Sequence, residues 1–449
     1  MEQRIVDGAL AQVRARLEAN DLDGAVDIIE ALRPPDQADV FGELHLEQQE
    51  DLLPLLDLED AADILEELQD EEAALLAQRL DVGTLVSILD EMEPDEAADL
   101  LGDLLPEHAT AALAQMNDPD EVRPLLLHPD ETAGGLMTSE FLILRRRMTA
   151  AEALAAVRRW APEAEIAQHL FVVDQEGRLC GVVSLLQLIK APPTALVADL
   201  MDTDVIHVHT TVDQEECARL MARYGIMALP VVDETDHVVG IITVDDLVEV
   251  LEDEATEDIQ RLGGAEPLDR PYLDTGVAHV ARKRLGWLLL LFVTETFTGS
   301  VLRYFQRELD TIVALAFFVP LLIGTGGNAG SQTTSTIIRA LAVGEIGLRD
   351  ALRVFWHEIR AGLILGLLMA AVAFIRALTW GVPMPLAVAV AFSIFVIVVW
   401  ANGVGSLLPL LAARVGVDPA IVSGPFMSTL VDATGLFIYF TIARLILRI

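Results

Sequence analysis

From Met1 to about residue 130, apolar residues recur at helical spacing in short runs, broken by acidic and proline-bearing turns. Asp36-Gln37-Ala38-Asp39-Val40-Phe41 returns 24 residues later as Asp60-Ala61-Ala62-Asp63-Ile64-Leu65, and 36 residues after that as Glu96-Ala97-Ala98-Asp99-Leu100-Leu101. Steps in multiples of 12 predict helices of two to three turns stacked in antiparallel pairs, separated at Arg33-Pro34-Pro35 and Glu93-Pro94. Residues 137–255 carry a second repeat, in which Leu170–Ser184 matches Leu229–Thr243 at a constant offset of 59. Each copy predicts a strand, a polar turn, a strand containing Gly-Val or Gly-Ile, and a helix start. Before each come Met137-Thr138 or Met201-Asp202, a strand and an amphipathic helix (Ala150–Trp160; Val212–Tyr224). Acidic and apolar residues interleave over Asp245–Asp258, which reads as one helix ending near Gly263-Gly264. Five apolar stretches follow, near Leu285–Phe305, Ile312–Leu341, Ala361–Trp380, Pro385–Ala413 and Ala420–Ile446, each long enough to cross about 30 Å of hydrocarbon.

Charge divides along the same line. Residues 271–449 hold 13 Lys/Arg and 9 Asp/Glu, so of the chain's 30 basic and 70 acidic residues, 17 and 61 fall in residues 1–270. An acidic soluble part is joined to a membrane part, and a net charge of −40 excludes nucleic acid as a main partner. Cys180 and Cys217 lie in apolar surroundings and imply no disulfide framework, which suits a cytosolic soluble half. Met1–Asn20 is amphipathic and charged, unlike a signal peptide, so the soluble half is expected to stay on the side where it is made. Arg282-Lys283-Arg284, Arg339, Arg349, Arg353 and Arg414 flank the ends expected in the cytosol, against Arg303, Arg307 and Arg376 opposite. Five spans then put the C-terminus outside the plasma (inner) membrane.

The second repeat resembles a tandem pair of CBS domains over about 120 residues. Such pairs often bind adenosine nucleotides through Ser/Thr-x-x-Asp at the last helix start. Thr243-Val244-Asp245-Asp246 keeps that pattern, whereas Ser184-Leu185-Leu186-Gln187 lacks the acid. One site for ATP or another adenine nucleotide at Thr243 and Asp246 is one reading; a helix cap made by the same two residues is the other.

In the membrane half the polar content carries the chemistry. Gly324-Thr325-Gly326-Gly327-Asn328-Ala329-Gly330-Ser331-Gln332-Thr333-Thr334-Ser335 falls mid-span, and so loose a backbone is expected to be buried in protein or to line water; close helix packing is the structural alternative. The fourth span adds Asn402-Gly403 and Gly405-Ser406, and the fifth Ser423-Gly424-Pro425, Ser428, Thr429 and Asp432. Asp432 sits near the centre of an apolar helix, with Arg444 its nearest basic residue in sequence. A mid-membrane carboxylate costs about 2.5–3.5 kcal/mol on insertion scales and marks a functional site. Glu295, beside Thr294, Thr296 and Thr298, is a weaker candidate. An intramembrane zinc protease would need His-Glu-x-x-His, and His357-Glu358-Ile359-Arg360-Ala361 lacks the second histidine; no Gly-x-x-x-x-Gly-Lys-Ser/Thr is present for ATP hydrolysis. The chain is therefore read as a non-enzyme.

The order of parts, together with Gly326-Gly327-Asn328-Ala329-Gly330-Ser331-Gln332 and Asp418-Pro419-Ala420…Gly424-Pro425…Thr429-Leu430-Val431-Asp432-Ala433-Thr434-Gly435, resembles the MgtE family of magnesium channels. The resemblance implies a multidomain fold: an all-α superhelical N-domain (1–130), an α/β CBS pair (131–200 and 201–255), a long acidic connecting or plug helix (245–275) and a five-helix transmembrane pore domain (276–449). It implies a homodimer in the lipid bilayer with its pore on the twofold axis, Asp432 binding the ion, and Asn328, Gly327, Ser331, Gly424 and Ser428 lining the path. Some members carry Asn where this chain has Ser331 or Gly424. Mg2+ keeps several of its waters and uses only one or two carboxylates, which suits two copies of Asp432 among neutral groups. Mg2+ would also act as regulator, bridging carboxylates of the N-domain (Asp95, Asp99), the second CBS domain (Asp213, Glu215, Glu216, Asp246, Glu249) and the plug helix (Glu254, Glu257, Asp258), with Asp418 at the cytosolic mouth, so that high internal Mg2+ closes its own entry. Two alternatives stay open: a broader divalent-cation (Mn2+/Co2+) transporter, and a membrane-anchored CBS nucleotide sensor without transport.

Overall fold

The computed structural model describes residues 2–160, 169–268, 272, 275–422 and 424–448. Ser423 and residues 269–271 and 273–274 of the expected plug segment lie outside the described residues. The chain divides into two compact units, Met1–Leu251 and Glu252–Ile449.

The first unit opens with ten short helices: α1 (Glu2–Glu18), α2 (Leu22–Ile29), α3 (Pro34–Gly42), α4 (Leu46–Leu52), α5 (Leu58–Glu67), α6 (Asp70–Ala77), α7 (Val82–Leu89), α8 (Pro94–Asp103), α9 (Pro106–Leu113) and α10 (Pro119–Val122). Proline starts α3, α8, α9 and α10, where its missing N–H costs nothing. The three copies of the acidic repeat fall on α3, α5 and α8, each burying its small and aliphatic residues (Ala38, Val40 and Phe41; Ala61, Ala62, Ile64 and Leu65; Ala97, Ala98, Leu100 and Leu101). A second period is not evident from the hydrophobic pattern. Glu30 accepts the backbone N–H of Asp57 (3.0 Å), Glu66 that of Glu93 (2.9 Å) and Asp90 that of Asn117 (2.9 Å), each pair 27 residues apart. Carboxylates near one helix end thus accept from backbone N–H groups at the start of the third helix on.

The CBS pair follows as two three-stranded sheets, β1-β2-β3 and β4-β5-β6. The first holds β1 (Ile143–Arg145), β2 (His169–Val173) and β3 (Leu179–Ser184), with α11 (Ala150–Trp160), α12 (Leu185–Lys190) and α13 (Val197–Leu200). The second holds β4 (Val208–His209), β5 (Ala228–Val232) and β6 (Val238–Thr243), with α14 (Gln214–Tyr224) and α15 (Val244–Leu262). In each sheet the first pairing is parallel and the second antiparallel, and the hairpin strands repeat at the offset of 59. The Met-Thr and Met-Asp segments, expected to belong to the copy they precede, are exchanged. Thr138 bridges to Ile241 of the second sheet, and Asp202 to Val182 of the first. Gly240 and Gly181 make room for this: a Cβ on Gly240 would lie 2.6 Å from Met137, and one on Gly181 2.6 Å from Met201.

The second unit contains α16 (Val277–Tyr304), the short α17 (Gln306–Thr311), α18 (Ala314–Ala342), α19 (Ala351–Thr379), α20 (Met384–Arg414) and α21 (Gly424–Leu447). With the turn before α19 included, five helices among the described residues are long and apolar enough to cross a membrane. The third begins about ten residues earlier than the hydropathy suggests, which brings Glu358 inside it. The glycine-rich stretch of α18 is not loosened but continuous helix, because its glycines serve close packing against neighbouring helices. Central α20 packs on α18, α19 and α21.

Gly240→Ala should destabilise the full-length protein by about 1–3 kcal/mol, since the added methyl overlaps Met137. Met137→Ala in the same chain should recover a measurable part of that loss in a double-mutant denaturation cycle.

Candidate ion pathway and acidic surface

The face of α18 towards α21 is made of small residues for a steric reason. A Cβ on Gly327 would stand 3.1 Å from the Ser428 hydroxyl, one on Gly330 2.8 Å from Met427, and one on Gly326 2.8 Å from Val431. Ser331 finishes the seam, its hydroxyl donating to the Gly424 carbonyl (3.0 Å) and lying 3.2 Å from the Ser428 hydroxyl. Gly327, Ser331, Gly424 and Ser428 are thereby brought together. Asn328 lies on an exposed face of α18 in the single chain.

Asp432 is half-buried two turns further along α21. The one charged group bearing on it among the described residues is another carboxylate, Glu295 of α16. Thr294 and Thr296 donate to carbonyls of their own helix at Leu291 (2.9 Å) and Val293 (2.6 Å), and Thr298 is buried.

In the first unit, carboxylates crowd where α8 meets the start of α15. Asp95 is 7 % exposed, and burial, then Asp246 and Glu93, hold its carboxyl well above the usual range. Glu96, which opens the third repeat copy but was not among the expected ligands, is pushed up to about 9 by burial and by Asp95, Asp99, Glu249 and Glu66. Asp99 rises to about 7 through desolvation and the charges of Asp130, Asp70, Asp103 and Glu249. Burial raises Asp246 too, against hydrogen bonds from Thr243. The Thr243 N–H and hydroxyl donate to Asp246 at 2.8 and 2.9 Å, so the pair forms a helix cap in this structure. Ser184 and Gln187 form the matching box in the first copy. Asp213 caps α14 through the Glu215 N–H (3.0 Å), and Glu216 lies 3.8 Å from Arg219. Another carboxylate group, Glu30, Asp57 and Asp60, has ligand atoms within 4.8 Å of one another, but Glu30 belongs to the 27-residue clamp and Asp60 accepts from Gln37 (2.8 Å).

In the second unit, Arg261 near the end of α15 donates to Asp418 (2.5 Å) and pairs with Glu257. Asp418 also caps the turn before α21 through the Ala420 N–H (2.8 Å). Asp258 is raised by burial, Asp418 and Glu254, with Arg261 opposing. Two of the carboxylates expected to hold regulatory metal are thus bridged by a guanidinium, a partner that residue spacing alone did not reveal.

Comparison with known proteins fits this geometry. A divalent cation transporter family matches residues 319–442, an MgtE intracellular N domain residues 14–131, and CBS domains residues 133–193 and 197–253. The magnesium transporter MgtE of Thermus thermophilus is 48% identical over 328 residues, 73% of each chain. The chain belongs to the MgtE family. The MgtE of Enterococcus faecalis is 36% identical over 328 residues, 73% of this chain and 72% of its own. A crystal structure of the cytosolic domain of the Mg2+ channel MgtE in complex with ATP superposes with a TM-score of 0.51 at 38% identity, covering 54% of this chain and 99% of its own.

In this MgtE chain the raised carboxylates of α8 and α15 fix a sign. Folded, they hold protons that the unfolded chain releases near pH 4, so in metal-free buffer stability falls as pH rises from about 4 towards 9. Thermal unfolding of the full-length protein should show this slope. Mg2+ should recover about 3 kcal/mol at pH 8 if present at a hundredfold its dissociation constant, and little at pH 5. Combining Glu96→Gln with Asp99→Asn should flatten both responses.

Proposed function

We propose that this MgtE chain conducts Mg2+ across the membrane down its electrochemical gradient, through a path lined by α18 and α21 of two copies about a twofold axis. The observation that carries this is Asp432, half-buried beyond a glycine and serine seam, with a second carboxylate rather than a cation bearing on it. Two such carboxylates facing one another across the axis would hold a partly hydrated dication loosely enough to release it. A negative-inside potential supplies about 2.3 kcal/mol per charge per 100 mV, hence about 4.6 for Mg2+, so no ATP hydrolysis is required.

Regulation follows from the first unit's electrostatics. Asp95, Glu96, Asp99 and Asp246 disfavour a close arrangement of α8 and α15 unless protons or divalent ions neutralise them, so cytosolic Mg2+ would stabilise the compact form by its differential affinity. We read that form as closed. Glu249, Glu254, Glu257, Asp258 and Asp418 join as ligands wherever Mg2+ displaces their present contacts, and the Arg261 bridge is the competitor at Glu257 and Asp418. The related cytosolic domain solved with ATP supports an adenine nucleotide at this CBS pair, where Thr243 and Asp246 would have to exchange their cap for a ribose.

Flux of Mg2+ into proteoliposomes tests the reading. Asp432→Asn should lower flux at least tenfold while eluting as the wild-type assembly; undiminished flux would remove Asp432 from the path. Internal Mg2+ should suppress wild-type flux, and a chain with Asp95→Asn and Glu96→Gln, from which that repulsion has been removed, should lose the dependence of flux on internal Mg2+. Equal uptake of Mn2+ or Co2+ in competition would favour the broader cation transporter.

A further inference from the structure

Behind Asp432 the membrane unit holds a groove of about 900 Å3 between α16 and α21, with Trp400 of α20 in its wall. Phe297, Val301 and Tyr304 line it from α16, and Leu430 and Phe437 from α21. At 3.6 residues per turn, Leu430 and Phe437 stand about 140–160° round α21 from Asp432, so the groove lies on the far side of that helix from the carboxylate. On the proposed reading the second copy sits on the Asp432 side. The groove then faces the bilayer, an orientation that rests on that reading.

The lining offers little to a polar ligand. Thr294 donates to the Leu291 carbonyl (2.9 Å), Ser300 to Thr296 (2.8 Å), Thr429 to Pro425 (3.0 Å) and Thr434 to Leu430 (2.8 Å), each within its own helix. Trp400 Nε1 donates to the Thr434 hydroxyl (3.1 Å). With these donors engaged, methyl and aromatic groups face the space, and water there would lack partners that hydrocarbon does not need. The length suits one leaflet. On α16 the lining runs from Thr294 to Tyr304, about 15 Å, half of a hydrocarbon core of about 30 Å. Tyr304 ends it at the helix terminus, the boundary position that tyrosine favours. Charge gathers at the same end. Arg303, Arg307, Arg444 and Arg448, all exposed, stand there against Glu308 and Asp310. Arg444 follows Phe437 by two turns on the groove's face of α21, about 10 Å further on, and its side chain stays 55 % exposed although Glu308 lies 3.6 Å away. An apolar slot one leaflet deep under a rim of net positive charge is complementary to a lipid with an anionic headgroup. We propose that this groove binds an anionic phospholipid of the leaflet at the C-terminal ends of α16 and α21, with an acyl chain between the two helices and the phosphate on Arg444 and its neighbouring arginines. A chain seated there braces α16 against the helix that carries Asp432.

Lipid retention by the purified full-length protein tests this and needs no flux measurement. The protein is stripped of lipid in detergent, supplied with dioleoyl phosphatidylglycerol or dioleoyl phosphatidylcholine, and re-isolated. Native mass spectrometry then gives the lipid bound and the mass of the assembly. Wild type should retain phosphatidylglycerol at least tenfold better than phosphatidylcholine. Ala433→Trp and Ser300→Trp, which fill the groove from its two walls, should each lower that retention at least tenfold at unchanged assembly mass. Arg444→Gln combined with Arg448→Gln should abolish the preference between the two lipids. Leu367→Trp, on an exposed face of α19, should retain the wild-type amount. If neither groove variant folds, the doubly substituted arginine chain decides by its lipid preference. Equal retention of both lipids by wild type, or wild-type retention in both groove variants, would overturn the site by reducing the lipid to a non-specific annulus. Loss of assembly mass in both groove variants would overturn it by giving the groove to a second copy.

Discussion

Close approach of α18 to α21 is the constraint on which the membrane unit depends. At Gly326, Gly327 and Gly330 a single added carbon would overlap Val431, Ser428 or Met427. In hydrocarbon no hydrophobic force drives helices together, so contact area and interhelical hydrogen bonds must do so, and glycine maximises the first while Ser331 supplies the second through Gly424 and Ser428. With the seam fixed, the rotation of α21 is fixed, and with it the direction of Asp432. α18 also closes on α20, where a Cβ on Gly405 would meet Gly330's carbonyl and Thr334 donates to the Gly405 carbonyl (3.3 Å).

The cytosol-type unit is governed by the opposite problem, an excess of one charge. Many of its carboxylates are spent locally on backbone N–H groups, in the 27-residue clamps and in caps such as Asp21, Asp81 and Asp213, where ionisation is favourable. Those of α8 are instead crowded by other carboxylates. Burial and like charge raise Asp95 and Glu96, and Asp99, whose side chain stays solvent-exposed, rises with them, a state that is costly at neutral pH and responds steeply to any counter-charge. The proposed sensor requires carboxylates crowded side by side, and α8 supplies them in a chain holding 70 acidic residues.

Much of this architecture was legible in the sequence, where the signal was a period or a compositional break. The 59-residue offset located both CBS hairpins to the residue because strand, turn and strand are consecutive. The exchange of Met137-Thr138 and Met201-Asp202 was not legible, since nothing local says which of two similar sheets a flanking segment joins; the signal lay in Gly181 and Gly240, whose missing side chains each leave room for a methionine. Glycine content suggested a loosened second span, yet helix continuity is decided by what packs against the glycines, a long-range property. Asp432 stood out because one charge in an apolar run is visible locally. Glu358 did not, because it lies near the start of its span, beside His357 and Arg360, where hydropathy averages read it as flank.

Arg261 and Asp418, 157 residues apart, illustrate what charge counting misses. A surplus of acids around a sparse base is naturally read as a set of metal ligands, and Glu257, Asp258 and Asp418 fit that description in sequence. A guanidinium offers the same geometry to two carboxylates as a bridging dication, but it is tethered to α15 and cannot leave. Its presence lowers the charge that a metal would otherwise have to neutralise and leaves Asp258, raised by its neighbours, as the carboxylate there that gains most from one. On the proposed reading, Mg2+ entering this cluster would compete with a built-in cation and would need a higher concentration there than at the acids of α8. The two acidic regions borne in part by α15 thus differ in kind: one is compensated by Arg261, the other is crowded by the like charges of Asp95, Glu96 and Asp246.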